Sequence, residues 1–445
     1  MVQVYIEDIN NGIKNAVSIL LEKIEREKNS LIKTSKEVYI KPNGIDFKPH
    51  CFTSPNLLKE VIEYFKNKGA EVFIMENSTQ SNATRIVFEI SGYKKVCEET
   101  GAKPIYLDEE KTKKFIFKGK KSVEENPNGY ILKEFRLPQT VVKIMENRDS
   151  VTYIDLPKLK THSMAVVTLG LKNQWGFPQH ADRGIDHNYN LHSKIVDVYE
   201  YIQPDVTIID GIEATIHGHY PPTAFENELV LNFNILIGGT DALAVDVVGA
   251  RVFGLSLDEV PHLKIAYERG LGEGDLEKIK VIGKDLNQYN KKYEWDLLQK
   301  FPENVKIIKG KELLCREGCQ NNPLALLQVL AYDFSKKFKG DFFIIMGKGF
   351  EDNIIDELKS EGYKKGLVAG FCAIGEIGEK LKEEFGRKNV YYSHNCNNLA
   401  ETSSALFKLS GVSALDLVPI SSLKLLSLLL SAKLHGSKAL TPSIF

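Results

Sequence analysis

The sequence predicts an α/β protein of two domains, with mostly parallel sheets flanked by helices. Apolar segments without clean alternation recur along the chain, a pattern typical of strands buried on both faces. Amphipathic segments with helix-capping signals separate these strands. At 445 residues, the chain is also longer than one ordinary hydrophobic core supports.

The first half of the chain alternates strands and helices. The strand "EVYIKPN" precedes the helix "SPNLLKEVIEYFKNKGA", which has Ser54 as its cap, Pro55 in its first turn and Gly69 at its end. The strand "EVFIMENS", the helix "TRIVFEISGYKKVCEETGA" and the strand "PIYL" follow. Residues 104–140 are charged and irregular and indicate a hairpin insertion. Later strands are "SVTYIDL", "DVTIIDG" and "NFNILIGG", and the helix "DALAVDVVGARVFG" comes after them.

A second α/β alternation follows a polar segment. Residues 284–310 are predicted to be a linker with some helix, between a first domain at 1–283 and a second at 311–445. In the second domain, the strands "DFFIIMG", "GLVAGF" and "NVYYSH" alternate with helices that begin at "NPLALLQ", "NIIDELK", "IGEIGEK" and "LAETSSA".

Composition narrows the function classes. The formal net charge of -1 and the lack of an aromatic–basic surface motif disfavour nucleic-acid binding. The chain starts without a basic segment before an apolar core, so no signal peptide is predicted. The most apolar stretch, "ISSLKLLSLLLSAKL", is too short and too interrupted by Lys424 and Lys433 to span a bilayer. We expect a soluble cytoplasmic protein that does not bind a membrane.

Cysteines cluster in the last third of the chain. Two of them follow predicted strands and at least three lie at predicted helix N-termini, where partial positive charge favours thiolates. In an open α/β sheet the carboxyl ends of strands border the ligand crevice. The candidate metal ligands are Cys315, Cys319, Cys372 and Cys396.

Four thiolates suit either a [4Fe-4S] cluster or a zinc ion. The C-x3-C spacing with two distant partners departs from zinc-ribbon pairs and also from the compact cysteine run of ferredoxins. We predict that the cysteines bind an iron–sulfur cluster, and a zinc ion is the alternative. A third interpretation is that these cysteines are core or incidental residues.

Cations gather in "PKLKTHSMAVVTLGLKNQWG", directly after the strand "SVTYIDL". The segment after Ser163 is predicted to be a helix that places Thr168 and Lys172 on one face at i, i+4. An unpaired lysine inside an apolar run is costly, which favours an anion-binding role over a solvated loop. The candidate anion ligands in this segment are Lys158, Lys160, His162, Thr168 and Lys172.

Other strand ends add to this group. Lys41 and Asn43 end the first strand of the same sheet, and "QHADRGIDHNYNLH" adds Arg183 and His187. Carboxylates at further strand ends are expected to pair with these cations or to hold a divalent metal; they are Glu76, Asp210, Glu213, Asp241 and Asp246.

These segments resemble the domain of unknown function DUF362 over about residues 36–283. The resemblance rests on "KPN", "LPKLKTHSMAVVTLGLKNQWG", "IIDGIEA" and "GGTDALAVDVVGARVFG". It implies an α/β domain in proteins often associated with iron–sulfur clusters, with a mostly unassigned role. The residues that match its most characteristic segment are Lys160, His162, Thr168, Lys172 and Asn173. The ferredoxin-type module of many such proteins is absent here, and the cysteine-bearing unit stands in its place.

The sequence leaves several functions open. The first hypothesis is an iron–sulfur oxidoreductase or lyase, with a small carboxylate or phosphate bound between the domains. His162 or His187 would be the general acid/base, and Lys160 and Lys172 would clamp the substrate. An electron-donor protein and a homo-oligomer are possible partners. The alternatives are a zinc-containing metabolite carrier and a divalent-metal isomerase or transferase.

Overall fold

The computed structural model describes residues 1–28, 30–79, 82–116, 129–184 and 187–439. Within these residues the strands are β1 (Val2–Asp8), β2 (Glu37–Pro42), β3 (Glu71–Glu76), β4 (Lys103–Tyr106), β5 (Thr112–Ile116), β6 (Glu134–Pro138), β7 (Thr152–Leu156), β8 (Lys158–His162), β9 (Val166–Thr168), β10 (Val206–Thr215), β11 (Val230–Gly239), β12 (Ile279–Gly283), β13 (Val305–Lys309), β14 (Phe342–Met346), β15 (Gly366–Ala369) and β16 (Val390–Ser393).

Helices flank these strands in the described residues. They are α1 (Ile13–Lys28), α2 (Pro55–Asn67), α3 (Thr84–Ser91), α4 (Tyr93–Thr100), α5 (Gln139–Glu146), α6 (Gly170–Gln174), α7 (His180–Gly184), α8 (Leu191–Tyr201), α9 (Glu226–Leu229), α10 (Ala242–Val252), α11 (Pro261–Glu268), α12 (Asn321–Asp333), α13 (Ile354–Ser360), α14 (Phe371–Ala373), α15 (Glu379–Phe385), α16 (Leu399–Ser410) and α17 (Ser422–Leu434). The α/β prediction is therefore confirmed.

The large sheet has the strand order β12-β1-β11-β10-β7-β2-β3-β4, with β8 beside β10 and β9 beside β8. Most neighbours are parallel, whereas β11 runs antiparallel to both β1 and β10. Alternate side chains enter two cores: Tyr39 and Tyr153 pack on one face, and Val38 and Ile154 on the other. Burial on both faces explains why these strands are apolar throughout.

The second sheet, β13-β14-β15-β16, is wholly parallel. It also has a core on each face, with Phe342 and Ile344 in one and Phe343 and Ile345 in the other. Its first strand, Val305–Lys309, lies inside the segment predicted to be a linker. The division into two domains stays a prediction.

The segment after Ser163 is not the predicted helix. Val166–Thr168 forms strand β9, antiparallel to β8 with Lys160 opposite Thr168, and helix α6 begins only at Gly170. Thr168 and Lys172 therefore do not share a helix face. The chain turns back at Val166, which has φ +67°, and the β-branched residues Val167 and Thr168 then pair with β8 in an extended conformation.

The predicted hairpin insertion is narrower than residues 104–140. Strands β5 and β6 form an antiparallel pair, whereas β4 belongs to the large sheet. Residues 117–128 of this segment lie outside the described residues. In the described part of the chain, no helix is both long enough and apolar enough to cross a membrane.

Candidate functional site

A buried polar network joins the carboxyl ends of β2, β3 and β7. Lys41 Nζ lies 2.9 Å from a Glu76 carboxylate oxygen and donates to Asn173 Oδ1 at 3.1 Å. Asn173 Oδ1 also accepts from Asn43 Nδ2 at 2.9 Å, while Asn173 Nδ2 donates to Asp155 Oδ1 at 2.7 Å. The charge of Lys41 is therefore balanced within the fold, and Asn173 links the network.

A second buried ion pair joins β8 to β10. Lys158 Nζ lies 3.1 Å from Asp210 Oδ2, and both side chains are almost fully buried. The same Asp210 oxygen accepts the Ser54 backbone N–H at 2.7 Å. Lys158 is thus neutralised internally, as Lys41 is. Glu76 and Asp210 therefore each pair with a lysine, as the sequence predicts.

The Asp246 carboxylate binds backbone N–H groups and not a cation. Its two oxygens accept the backbone N–H groups of Gly170 and Leu171 at 2.7 and 2.8 Å, at the start of helix α6. Burial raises the pKa of Asp246 well above its usual value. Among the described residues, no three His, Cys, Asp or Glu side chains converge closely enough to share one metal ion.

Three further cations have no carboxylate that balances their charge in this way; they are Lys160, Lys172 and Arg183. We term these three residues, together with His162, the cation pocket. Lys160 Nζ donates to Asn43 Oδ1 at 2.9 Å and to the Cys51 carbonyl, which are neutral acceptors. Arg183 Nη2 donates to the Ser78 carbonyl at 2.8 Å. Within the described residues, none of the three cations has a carboxylate at ion-pair distance, and half-buried Lys172 has no hydrogen-bond acceptor.

Burial and mutual repulsion change the acidity of these cations. Burial, followed by the charges of Lys160, Arg183 and Lys41, lowers the pKa of Lys172 to about 7. Burial likewise lowers the pKa of Lys160 to about 8 and that of Arg183 to about 10. No carboxylate in the described residues contacts these cations directly, and Lys172 is partly a neutral amine near neutral pH.

His162 faces this pocket with a defined tautomer. Its Nδ1 accepts the backbone N–H groups of Met164 and Ala165 at 3.1 and 3.2 Å, so the ring hydrogen of the neutral form is on Nε2. Its ring stacks on His219, with centroids 3.8 Å apart. Burial and then His219 hold the pKa of His162 well below its usual range. His162 is therefore a neutral donor.

His187 and Thr168, also predicted from sequence, lie nearby with different surroundings. His187 Nδ1 is 2.8 Å from Asn188 Oδ1, and burial lowers the pKa of His187 to about 3. The Thr168 hydroxyl is buried and has no hydrogen-bond partner in the described residues. Sequence reasoning missed His219, whose signal was its place in "ATIHGHY", shortly after the strand "DVTIIDG".

The four C-terminal cysteines lie in the turns before α12, after β15 (in α14) and after β16, and none of these four described residues forms a disulfide. The loop of Cys372 is joined to that of Cys396 by a 2.9 Å hydrogen bond from the Phe371 N–H to the Asn395 carbonyl. Gly370 has φ +91°, and a Cβ there would come within 2.3 Å of Cys319 Sγ. Residue 370 must therefore be glycine for these loops to meet.

The thiols also affect one another electrostatically. Burial, followed by the charges of the other three cysteines, raises the pKa of Cys319 to about 12. Burial and then Cys372 raise the pKa of Cys315. The four thiols are therefore close enough to interact electrostatically, although no three of them converge on one metal position in the described residues.

The cysteine loops contact the large sheet beside the cation pocket. Asn188 Nδ2 donates to the Cys396 carbonyl at 3.4 Å, and Asn321 Nδ2, at the start of α12, donates to the Ser163 carbonyl. Asn188 follows His187 and Ser163 follows His162 in the chain. Both predicted catalytic histidines therefore lie next to residues that touch the cysteine-bearing unit.

Comparison with known proteins finds a family match in the first part of the chain. The family model described as "Domain of unknown function (DUF362)" matches residues 38–251. Residues 38–251 are a DUF362 domain. The resemblance seen in the sequence is confirmed, and the cation pocket lies within the DUF362 domain, whereas the four cysteines lie outside it.

A curated relative is the thylakoid-associated protein sll1697 of Synechocystis sp. It is 26% identical over 252 residues, which cover 54% of this chain and 70% of the relative.

Proposed function

We propose that this protein holds an iron–sulfur cluster on its four C-terminal cysteines and acts on a small carboxylate or phosphate in the cation pocket. The observation that carries the proposal is that the buried Lys160 and Arg183 and the half-buried Lys172 have no carboxylate at ion-pair distance in the described residues. Buried charge without a partner is costly, so a bound anion would stabilise this arrangement.

The cysteine loops fit an iron–sulfur cluster in their donor chemistry. Four cysteine thiolates are the common ligand set of [4Fe-4S] clusters. The ligands come from the Cys315–Cys319 turn and from the loops after β15 and β16, and a glycine at position 370 leaves room beside Cys319. When bound, the cluster would supply electrons or an iron Lewis acid.

Each residue of the cation pocket would have its own role in binding the anion. Lys160 and Arg183 are the donors for the oxygens of the anion, because both stay mostly charged near neutral pH. His162 would donate its Nε2 hydrogen to a polar group of the substrate. The low pKa of His187, about 3, makes it a weak base, so it would act as a neutral hydrogen-bonding group.

The proposal favours an oxidoreductase or a lyase. An oxidoreductase would also need an electron-donor protein as its redox partner. Zinc on the same cysteines would instead favour a non-redox metabolite-binding protein. Metal analysis separates the two, because zinc carries no acid-labile sulfide.

Anion binding tests the pocket directly. Calorimetric titration of anaerobically purified protein with pyruvate and with inorganic phosphate should show binding of at least one probe. K160M and R183M should each weaken that binding about 10- to 100-fold, the loss of one charge-assisted hydrogen bond. K95M removes a lysine whose side chain is 80% exposed and should leave the affinity unchanged. Binding of neither probe to the wild-type protein, or equal affinity in K160M and wild type, would contradict the proposal.

A further inference from the structure

Lys172 differs from the other lysines of the site in having no bonding partner. Lys41 and Lys158 are ion-paired, and Lys160 donates to two neutral oxygens, whereas Lys172 has no hydrogen-bond acceptor among the described residues. Its side chain is half-buried, unlike those of Lys41, Lys158 and Lys160, which are almost fully buried. Its position in α6 is fixed by the Asp246 carboxylate, which holds the first N–H groups of that helix.

Charged and titratable groups from several elements surround Lys172. They are Lys41 on β2, Lys160 and His162 on β8, Arg183 on α7, His192 on α8 and His262 on α11, with His187 and His219 from loops, while the Asp246 carboxylate of α10 binds backbone N–H groups of the helix that carries Lys172. Burial is the largest cause that lowers the pKa of Lys172, to about 7. The charged groups that lower it further toward this value are the cations Lys160, Arg183 and Lys41. A lysine amine in such surroundings is a nucleophile near neutral pH.

We propose that Lys172 forms a Schiff base with the carbonyl carbon of the bound anion, so that the substrate class is a small keto or aldehyde acid. This inference rests on the proposed function, because it takes the anion of the cation pocket as the substrate. Lys160 and Arg183 bind the carboxylate, and the Lys172 amine attacks the neighbouring carbonyl group. In an α-keto acid these two groups are adjacent, which suits an amine on which the charges of both Lys160 and Arg183 act.

The condensation requires no oxidant or co-reactant. The Lys172 Nζ lone pair forms the new C–N bond. Both hydrogens of the neutral amine are transferred to the carbonyl oxygen, which leaves as one water molecule. Uptake of one proton converts the imine to an iminium ion, which withdraws electrons from the neighbouring carbon atoms. Bond cleavage or proton removal next to the former carbonyl group is then easier.

Reductive trapping tests the inference on the full-length protein, purified anaerobically. Incubation with pyruvate and sodium cyanoborohydride should add to Lys172 the mass of pyruvic acid less one oxygen atom, located by peptide mass spectrometry. Exposed Lys95 should be modified far less, and lactate, which has no carbonyl group to condense, should give no adduct. Trapping should increase as pH rises through the Lys172 pKa of about 7. K160M should move that rise to higher pH, because it removes a neighbouring positive charge.

The variant K172R separates this inference from the proposed function. It keeps a cation but cannot form the imine, so pyruvate should still bind while the trapped adduct is lost. If pyruvate binds to the wild-type protein but labels Lys172 no more than Lys95, the Schiff base is contradicted and the anion pocket stands. If neither pyruvate nor phosphate binds in calorimetry and no adduct forms, both the proposed function and this inference are contradicted.

Discussion

His162 and His219 stack face to face, with ring centroids 3.8 Å apart and an interplanar angle of 8°. Both rings are buried, and the pKa of each is held well below its usual range, chiefly by burial. Two protonated rings in this position would repel each other in a poorly solvated site. The pair is therefore neutral, and His162 keeps its hydrogen on Nε2 for donation.

Replacing His219 tests this relationship. H219F keeps an aromatic ring over His162 but removes a titratable neighbour whose charge lowers the His162 pKa. We expect the His162 pKa to rise in H219F while it stays below about 6.5, because burial is the larger cause. NMR titration of histidine-labelled protein measures it. A His162 that titrates near 6.5 in the wild-type protein would contradict the buried neutral pair.

Protonation of the buried histidines should lower the stability of the protein as the solution is acidified. Burial lowers the pKa of six histidines: His162, His180, His187, His192, His219 and His262. Below about pH 6.5 the unfolded chain binds protons that the folded chain cannot, so each such histidine lowers the free energy of unfolding by about 1.4 kcal/mol per pH unit until its folded pKa is reached. This stability is fully present above about pH 6.5.

Denaturant unfolding at about pH 7 and about pH 5 measures this effect. H192Q should weaken the dependence on pH, because the folded pKa of His192 is about 4 and the variant removes that group. An H192Q variant whose stability changes between the two pH values as much as that of the wild-type protein would contradict the assignment of a neutral His192.

Asn173 should matter more for stability than its size suggests. Its amide bonds to Lys41, Asn43 and Asp155, all in the buried network. N173A leaves these polar groups without that partner, and at about 1 to 3 kcal/mol for each unsatisfied group we expect a loss of about 3 kcal/mol or more. The control N10A, at an exposed position, should change stability by less than about 0.5 kcal/mol. Equal effects of the two variants in urea unfolding would contradict the role of the network.

The cysteine ligands are tested one at a time. C315S, C319S, C372S and C396S each remove one proposed ligand with little change in volume, so each should lower the iron content of anaerobically purified protein. C97S changes a buried cysteine of helix α4 and should leave the iron content as in wild type. Iron that is insensitive to all four substitutions would place the metal elsewhere.

The sequence predicts individual elements better than it predicts their partners. The strand "EVYIKPN" and the helix after Ser54 carry local signals, and both are present. Strand β9 is too short to be recognised alone, since it depends on antiparallel pairing with β8 across a turn. Strand β1 and helix α1 also escaped prediction, and β1 is defined by pairing with β11 and β12, both more than 200 residues away in the chain.

The site shows the same limit. Charge and spacing single out Lys41, Lys158, Lys160 and Lys172, but they do not reveal which lysine is paired. Glu76 reaches Lys41 from the neighbouring strand, and Asp210 reaches Lys158 from β10, which only the folded sheet reveals. The unbalanced charge on Lys160 and Lys172 is likewise a property of the tertiary structure.

Iron and acid-labile sulfide analysis, with an absorption spectrum of anaerobically purified wild-type protein, tests the central claim most directly. The proposal predicts a brown protein with about four iron and four sulfide per chain, both lost when the four C-terminal cysteines are replaced by serine. A colourless wild-type protein that contains zinc without sulfide, or no metal, would contradict it.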